Sequence, residues 1–144
     1  MSPEEIKKEK FWAGAILFNP KTRSMLMQKR DAKALVNPNQ WALFGGVGES
    51  GETPLDCAIR EIQEELGITL KRNDLLSLHD YLIERLATWR FVFSVAFFLT
   101  KEEMTLGEGA GFDWVPVDKV LSYDMADATK RDIEFFLQKY EKAI

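Results

Sequence analysis

Glu61, Glu64 and Glu65 stand at i, i+3 and i+4 in a stretch that reads as helix, so their carboxylates share one helical face. At about 100° per residue, that face lies roughly 120° from the centre of the apolar stripe, which is formed by Leu55, Ala58, Ile59, Ile62 and Leu66. One side of such a helix packs into a core and a neighbouring side presents acid. Like charges this close repel one another, so the cluster is either solvated or binds a cation. Oxygen-only ligands suit Mg²⁺ or Mn²⁺, hard ions that keep several waters and share a substrate's phosphates. Glu52 stands just before the helix, and Gly45-Gly46-Val47-Gly48 lets backbone groups approach a ligand closely. Taken alone, acid on a helix face is more often a solvated surface. The glycine turn is neither a phosphate-binding loop nor a dinucleotide fingerprint, because no Gly-Lys-Ser/Thr or Gly-x-Gly-x-x-Gly stands there.

The elements that must position these residues can be read along the chain. The helix is punctuated at both ends: Thr53 suits the N-cap, Pro54 the first position, Asp56 the first turn and Gly67 a left-handed C-cap. Upstream, Phe11 to Phe18 reads as a strand that turns at Asn19-Pro20 into a hairpin partner at Ser24 to Lys29. A polar loop over 31–40 leads to a brief strand, Trp41 to Phe44, before the glycines. Downstream, Leu75 to Glu84 and Ala87 to Leu99 read as strands, and the second is rich enough in aromatic and β-branched residues for the middle of a sheet. Phe112 to Val115 is a further short strand, and an amphipathic helix near 126–142 turns Ile133, Phe136, Leu137 and Tyr140 inward. Helices and strands in this mixed order predict an α/β fold with a sheet covered by helices on its faces.

Gly46, Glu52, Arg60, Glu61, Ile62, Glu64, Glu65, Gly67 and Ile68 together resemble the Nudix box, Gly-x5-Glu-x7-Arg-Glu-U-x-Glu-Glu-x-Gly-U, where U is a bulky aliphatic. Every defined position from Gly46 to Ile68 is filled. With residue usage near 7%, the fixed identities coincide by chance on the order of once in 10⁸ placements. The resemblance implies a Nudix-type α/β/α sandwich with a mixed β-sheet between helices; the length fits a single domain over 1–144, and the mixed charges of residues 1–10 suggest a polar, poorly ordered terminus. It implies a Mg²⁺-dependent hydrolase, with Mn²⁺ able to substitute, that cleaves a nucleoside diphosphate linked to a group X.

Carried over by position, Glu64 and Glu65 resemble the main metal ligands, with the Gly45 carbonyl a further one. Glu61 lies where the family contributes to the metal site and to activating the water. Arg60 resembles the arginine that holds these carboxylates by charge-assisted hydrogen bonds, and Glu52 a structural or indirect participant. Family members also carry a later-loop Glu before a short Trp-bearing strand, which completes the metal site or acts as base; Glu108 in Gly107-Glu108-Gly109 fits better than Glu102 or Glu103. His79 is the sole histidine, and its place in a strand favours a structural role over that of general base.

For the substrate, markers of the ADP-ribose, dinucleoside polyphosphate, NADH, coenzyme A and GDP-mannose subfamilies are missing. By elimination the expected reaction converts a (deoxy)nucleoside triphosphate to the monophosphate and pyrophosphate, in the style of the triphosphate-cleaning members. Nucleotide sugars, non-nucleotide diphosphates and a non-catalytic, nucleotide-binding regulatory domain are the alternatives. Trp41, Phe44, Gly46 and Asn39 are the expected substrate-binding residues, Phe44 because it replaces a Pro that many nucleotide-cleaning members carry before the paired glycines. Asn37 and Gln40 are further polar groups in the same loop.

Composition bounds the partners. Among 144 residues, 46% are hydrophobic and the net charge is −4, the wrong sign for a chain that holds polymeric nucleic acid by its phosphates. A lone Cys57 excludes an internal disulfide and a cysteine-based zinc site, and packing suits it better than reactivity. No apolar run reaches the length of a membrane span and the N-terminus has no signal-peptide core, so a cytoplasmic location is expected. The expected partner is a small nucleotide or other diphosphate, and a homodimer is left open.

Overall fold

A computed structural model describes residues 10–35, 38–105 and 111–143. The central strand is β1 (Phe11–Asn19), and the reason is visible in its side chains. Ala13, Ala15 and Leu17 enter one hydrophobic cluster while Ile16 and Phe18 enter another on the opposite face. A strand apolar on both sides must be covered on both sides. The Asn19 carboxamide ends it, accepting from the Lys21 backbone N–H at 2.9 Å, and the turn returns as β2 (Ser24–Lys29).

β1 pairs with β2 only at the hairpin end, Phe18↔Met25 and Asn19↔Ser24. Beyond that point the two strands diverge, and residues 41–47 fill the opening. β3 (Trp41–Ala42) pairs with the far end of β2, and β4 (Phe44–Val47) pairs antiparallel with Trp12 to Ala15 of β1. The short strand expected to stop before the glycines therefore continues through them. Leu43 is the crossing point, buried in the cluster opposite to that of Phe44.

The other edge of β1 runs parallel to β6 (Thr88–Ala96), whose outer neighbour is β5 (Leu76–Ile83), with a bulge between Ser77 and His79. β7 (Gly111–Pro116) lines the outer edge of β2. The result is one seven-stranded mixed sheet.

Helix α1 (Pro54–Leu66) covers one face, burying Cys57, Ala58, Ile62 and Leu66 against Phe11, Leu17, Leu26 and Phe44. Leu55 and Ile59 of the expected stripe are partly buried at its margin. Helix α2 (Asp127–Ala143) covers the other face through Ile133 and Phe136, with Leu137 and Tyr140 partly buried. The expected α/β/α sandwich is what the chain forms. Among the described residues no helix is long and apolar enough to cross a membrane.

Candidate active site

The caps of α1 form as the sequence requires. Thr53 Oγ1 accepts the Asp56 N–H at 3.1 Å, Pro54 opens the first turn, and Gly67 at φ 70° donates its N–H to the Gln63 carbonyl at 2.8 Å. The acidic face of the helix so capped meets the glycine strand β4 where Glu61 lies against Gly46.

Arg60 is the hub of the meeting. Its Nε donates to Glu52 Oε2 at 2.7 Å and its Nη2 to Glu52 Oε1 at 3.0 Å, a two-pronged bond that suits guanidinium and carboxylate geometry. Its Nη1 reaches Glu61 at 3.0 Å and Glu64 at 3.2 Å, while Nη2 also donates to the Val47 carbonyl at 3.2 Å. Glu52 Oε1 in turn accepts the Glu49 N–H at 3.0 Å. Loop 47–52 is thereby fastened to the helix by one arginine and one glutamate.

The acids occupy different environments despite their common face. Glu64 is exposed, at 57% for its side chain, well above the 17% of Glu61. Glu61 is half-buried, and its carboxylate sits where a Cβ on Gly46 would be, with Cδ only 2.3 Å from that position. Only glycine leaves this cradle open. Burial raises the Glu61 pKa above the ordinary carboxylate value, and the charges of Glu64 and Glu52 add to the rise against the opposing pull of Arg60. Glu52 moves the other way, because its hydrogen bond from Arg60 outweighs its desolvation. Glu65 points toward the sheet, where its Oε2 accepts from Gln28 Nε2 at 3.1 Å, and Gln28 also donates to the Leu43 carbonyl at 3.1 Å.

Gln28 was not singled out by sequence reading. The signal was present as a lone amide closing the otherwise apolar run Met25-Leu26-Met27, at a position that the fold buries to 6% exposure. Cys57, fully buried, turns its thiol to the Gly46 carbonyl at 3.5 Å. It is a packing residue, as expected.

The expected substrate residues separate. Gly46 lies at the cradle. Trp41 is half-buried, edge-on to Tyr123 at 5.2 Å between centroids, and its backbone N–H donates to the Asp124 carbonyl at 2.8 Å. Asn39 is exposed with φ 63°, and the neighbouring Gln40 donates to Asp124 Oδ1 at 3.1 Å. Phe44 requires a correction: its side chain is fully buried in the core under α1 and cannot touch a substrate. The alternation of β4 sends it to the α1 face, while Leu43 and Gly45 on either side face the α2 side of the sheet. Glu108 and Asn37 lie outside the described residues. His79 lies on the α2 face, bonded at 2.8 Å to the buried Asp132.

Among the described residues no three acidic, histidine or cysteine side chains converge on one point. Arg60 takes the centre among Glu49, Glu52, Glu61 and Glu64. The donor chemistry nevertheless fits a hard divalent cation, because the set is all oxygen and the Gly46 cradle brings Glu61 against the backbone.

Comparison with known proteins agrees with this fold. The family model for the NUDIX domain matches residues 10–137. The chain belongs to that family, the Nudix hydrolase superfamily. Diphosphoinositol polyphosphate phosphohydrolase 2 of Mus musculus is 30% identical over 84 residues, covering 58% of this chain and 47% of that protein. The chain thus spans about half the length of the curated relatives it first matches. In fold it is similar to a MutT structure from a study of Aliivibrio salmonicida and Vibrio cholerae, with TM-score 0.75 and 21% identity over 90% of this chain and 98% of that one. It is also similar to a bifunctional NMN adenylyltransferase/ADP ribose pyrophosphatase of Francisella tularensis complexed with AMP and Mn ion. There the TM-score is 0.71 at 22% identity, covering 94% of this chain and 46% of that one.

Proposed function

We propose that this chain is a Mg²⁺- or Mn²⁺-dependent pyrophosphohydrolase whose leading substrate is a (deoxy)nucleoside triphosphate, cleaved to the monophosphate and pyrophosphate. The observation that carries the reading is the complete box folded onto α1, with the Glu61 carboxylate seated in the Gly46 cradle. Glu64, Glu65 and the Gly45 carbonyl would hold the metal, joined by Glu61 and by Glu108. When bound, the metal offsets charge on the diphosphate oxygens and lowers the pKa of water.

The chain's own groups have distinct tasks in this scheme. Arg60 neutralises the acidic face and fixes Glu52 and the 47–52 loop, so the Gly46 edge is presented in one conformation. Glu61 is the carboxylate whose burial raises its proton affinity, which suits it to accept a proton from the attacking water. Gln28 orients Glu65 from the sheet. Trp41 and Asn39 stand at the rim where β3 meets the segment before α2, and they are the groups to contact the substrate's organic part.

A second reading, hydrolysis of a non-nucleotide diphosphate, is favoured by the name of the mouse relative, a diphosphoinositol polyphosphate phosphohydrolase. The AMP with which the Francisella neighbour is complexed favours the nucleotide reading. A panel of nucleoside triphosphates, nucleotide sugars and inositol pyrophosphates, assayed with each metal, separates the two. Glu65→Gln is expected to lower kcat by about two orders of magnitude or more while the thermal midpoint holds. Turnover near wild type in that variant would overturn the metal-site reading.

A further inference from the structure

Three strands place Trp12, Arg90 and Tyr81 in one row across the sheet, Trp12 opposite Arg90 and Arg90 opposite Tyr81. Residues in register across paired strands stand on the same face, here the face covered by α2. From that helix Asp132 points into the row with no exposed surface. Its Oδ2 accepts from Arg90 Nε at 2.8 Å and Nη2 at 2.7 Å. Its Oδ1 accepts from the Tyr81 hydroxyl at 2.7 Å and lies 2.8 Å from His79 Nε2. A carboxylate so fully engaged holds the guanidinium in one orientation.

The guanidinium lies 3.9 Å above the Trp12 ring, which fixes the indole in its turn. The far edge of that indole occupies the space that side chains would take at Gly14 and Gly45. Trp12 Cη2 is 2.4 Å from a Cβ position on Gly14, and Cζ2 is 2.5 Å from one on Gly45. These two glycines are themselves paired across β1 and β4. On the next residue, Gly46, the equivalent space belongs to Glu61. Successive residues of a strand face opposite sides, so the Gly45–Gly46 backbone is clamped between the indole on one face and the catalytic helix's carboxylate on the other.

We infer that Trp12, held by the Arg90–Asp132 pair, is a positioning residue that sets the Gly45–Gly46 backbone for metal binding. It makes α2, on the opposite face of the sheet, part of the support of the candidate site. The inference rests on the reading of Gly45 as a metal ligand.

Mn²⁺ alone, titrated into metal-free protein and followed by the paramagnetic resonance of the free ion, tests this. Trp12→Leu removes both the stack and the filler, and is expected to weaken Mn²⁺ binding about tenfold. Trp12→Phe keeps a ring for Arg90 and is expected to cost about threefold, as is Arg90→Lys, which keeps the charge for Asp132 but not the flat stack. In metal-free Trp12→Leu, hydrogen exchange at the Gly45 and Gly46 amides is expected to quicken about tenfold. Wild-type affinity and wild-type exchange in the folded variant would overturn the inference. So would a raised KM at unchanged Mn²⁺ affinity, which would make Trp12 a substrate contact instead. Should Trp12→Leu fail to fold, Trp12→Phe and Arg90→Lys decide by the same readouts. Should the wild-type protein bind no Mn²⁺, the metal reading falls, while the exchange measurement still decides whether Trp12 holds the glycines.

Discussion

Gly46→Ala tests the cradle with a single methyl group. The backbone at Gly46 is not left-handed, so alanine is not excluded by its own conformation. The added Cβ would stand 2.3 Å from Glu61 Cδ, 2.5 Å from Oε1 and 2.6 Å from Oε2. Ordinary contact begins near 3.4 Å, so the carboxylate must retreat by 3.4 − 2.3 = 1.1 Å. What retreats is the end of a flexible side chain, and fewer unfolded conformations favour alanine over glycine by about 0.4–1 kcal/mol. Folding stability should therefore stay within about 1 kcal/mol of wild type. The chemistry should not be spared, because a displacement of about 1 Å at a catalytic group can cost about 100-fold, or about 2.7 kcal/mol of barrier. Steady-state release of pyrophosphate or phosphate from the best substrate of the panel, beside a thermal melt, reads both quantities. Turnover close to wild type with the fold intact would refute the claim that the close seat of Glu61 on Gly46 matters. A large loss of stability would refute the claim that only a side-chain end has to move.

Glu61→Gln in metal-free protein should melt higher than wild type at neutral and alkaline pH. The folded pKa of Glu61 is raised above 4.5, so the native state binds that proton more tightly than the unfolded chain, and wild-type stability falls as pH rises through this window. The advantage of the variant should vanish as pH drops below about 4.5; a variant less stable in neutral buffer contradicts the assignment. Asp132→Ala should cost about 3–5 kcal/mol in urea unfolding, because it leaves the buried Arg90 without its carboxylate, and a loss under about 1 kcal/mol would show that the cluster does not hold α2. Burial, with the nearby Glu52 charge, pushes the Cys57 thiol up to about 12. Mass spectrometry after alkylation at neutral pH should therefore find Cys57 unmodified in native protein and modified in denatured protein; rapid native labelling would show an accessible thiolate.

Local signals were enough to write α1. Thr53, Pro54 and Gly67 act within one turn of themselves, and the 3.6-residue period that buries Ala58, Ile62 and Leu66 also aligns Glu61, Glu64 and Glu65. The mixed order of elements pointed to a sheet covered by helices, and the resemblance of the box implied the layered α/β/α arrangement. What depends on contacts between distant segments was not available from the chain read in line. Phe44 looked like a specificity residue beside a glycine loop, and the pairing of β4 with β1 turns it into core. Gln28 and Asp132 carried a faint mark, a polar residue at a core position, without revealing that one would meet Glu65 and the other Arg90.

The residue types and their spacing thus determined the acidic helix, its caps and the family, because each rests on interactions a few residues long. Tertiary structure alone decided how the acids differ. Closing α1 onto β4 buries Glu61 against a glycine, leaves Glu64 exposed and sends Glu65 to Gln28. Desolvation and close approach act through space, and no spacing along the chain encodes them.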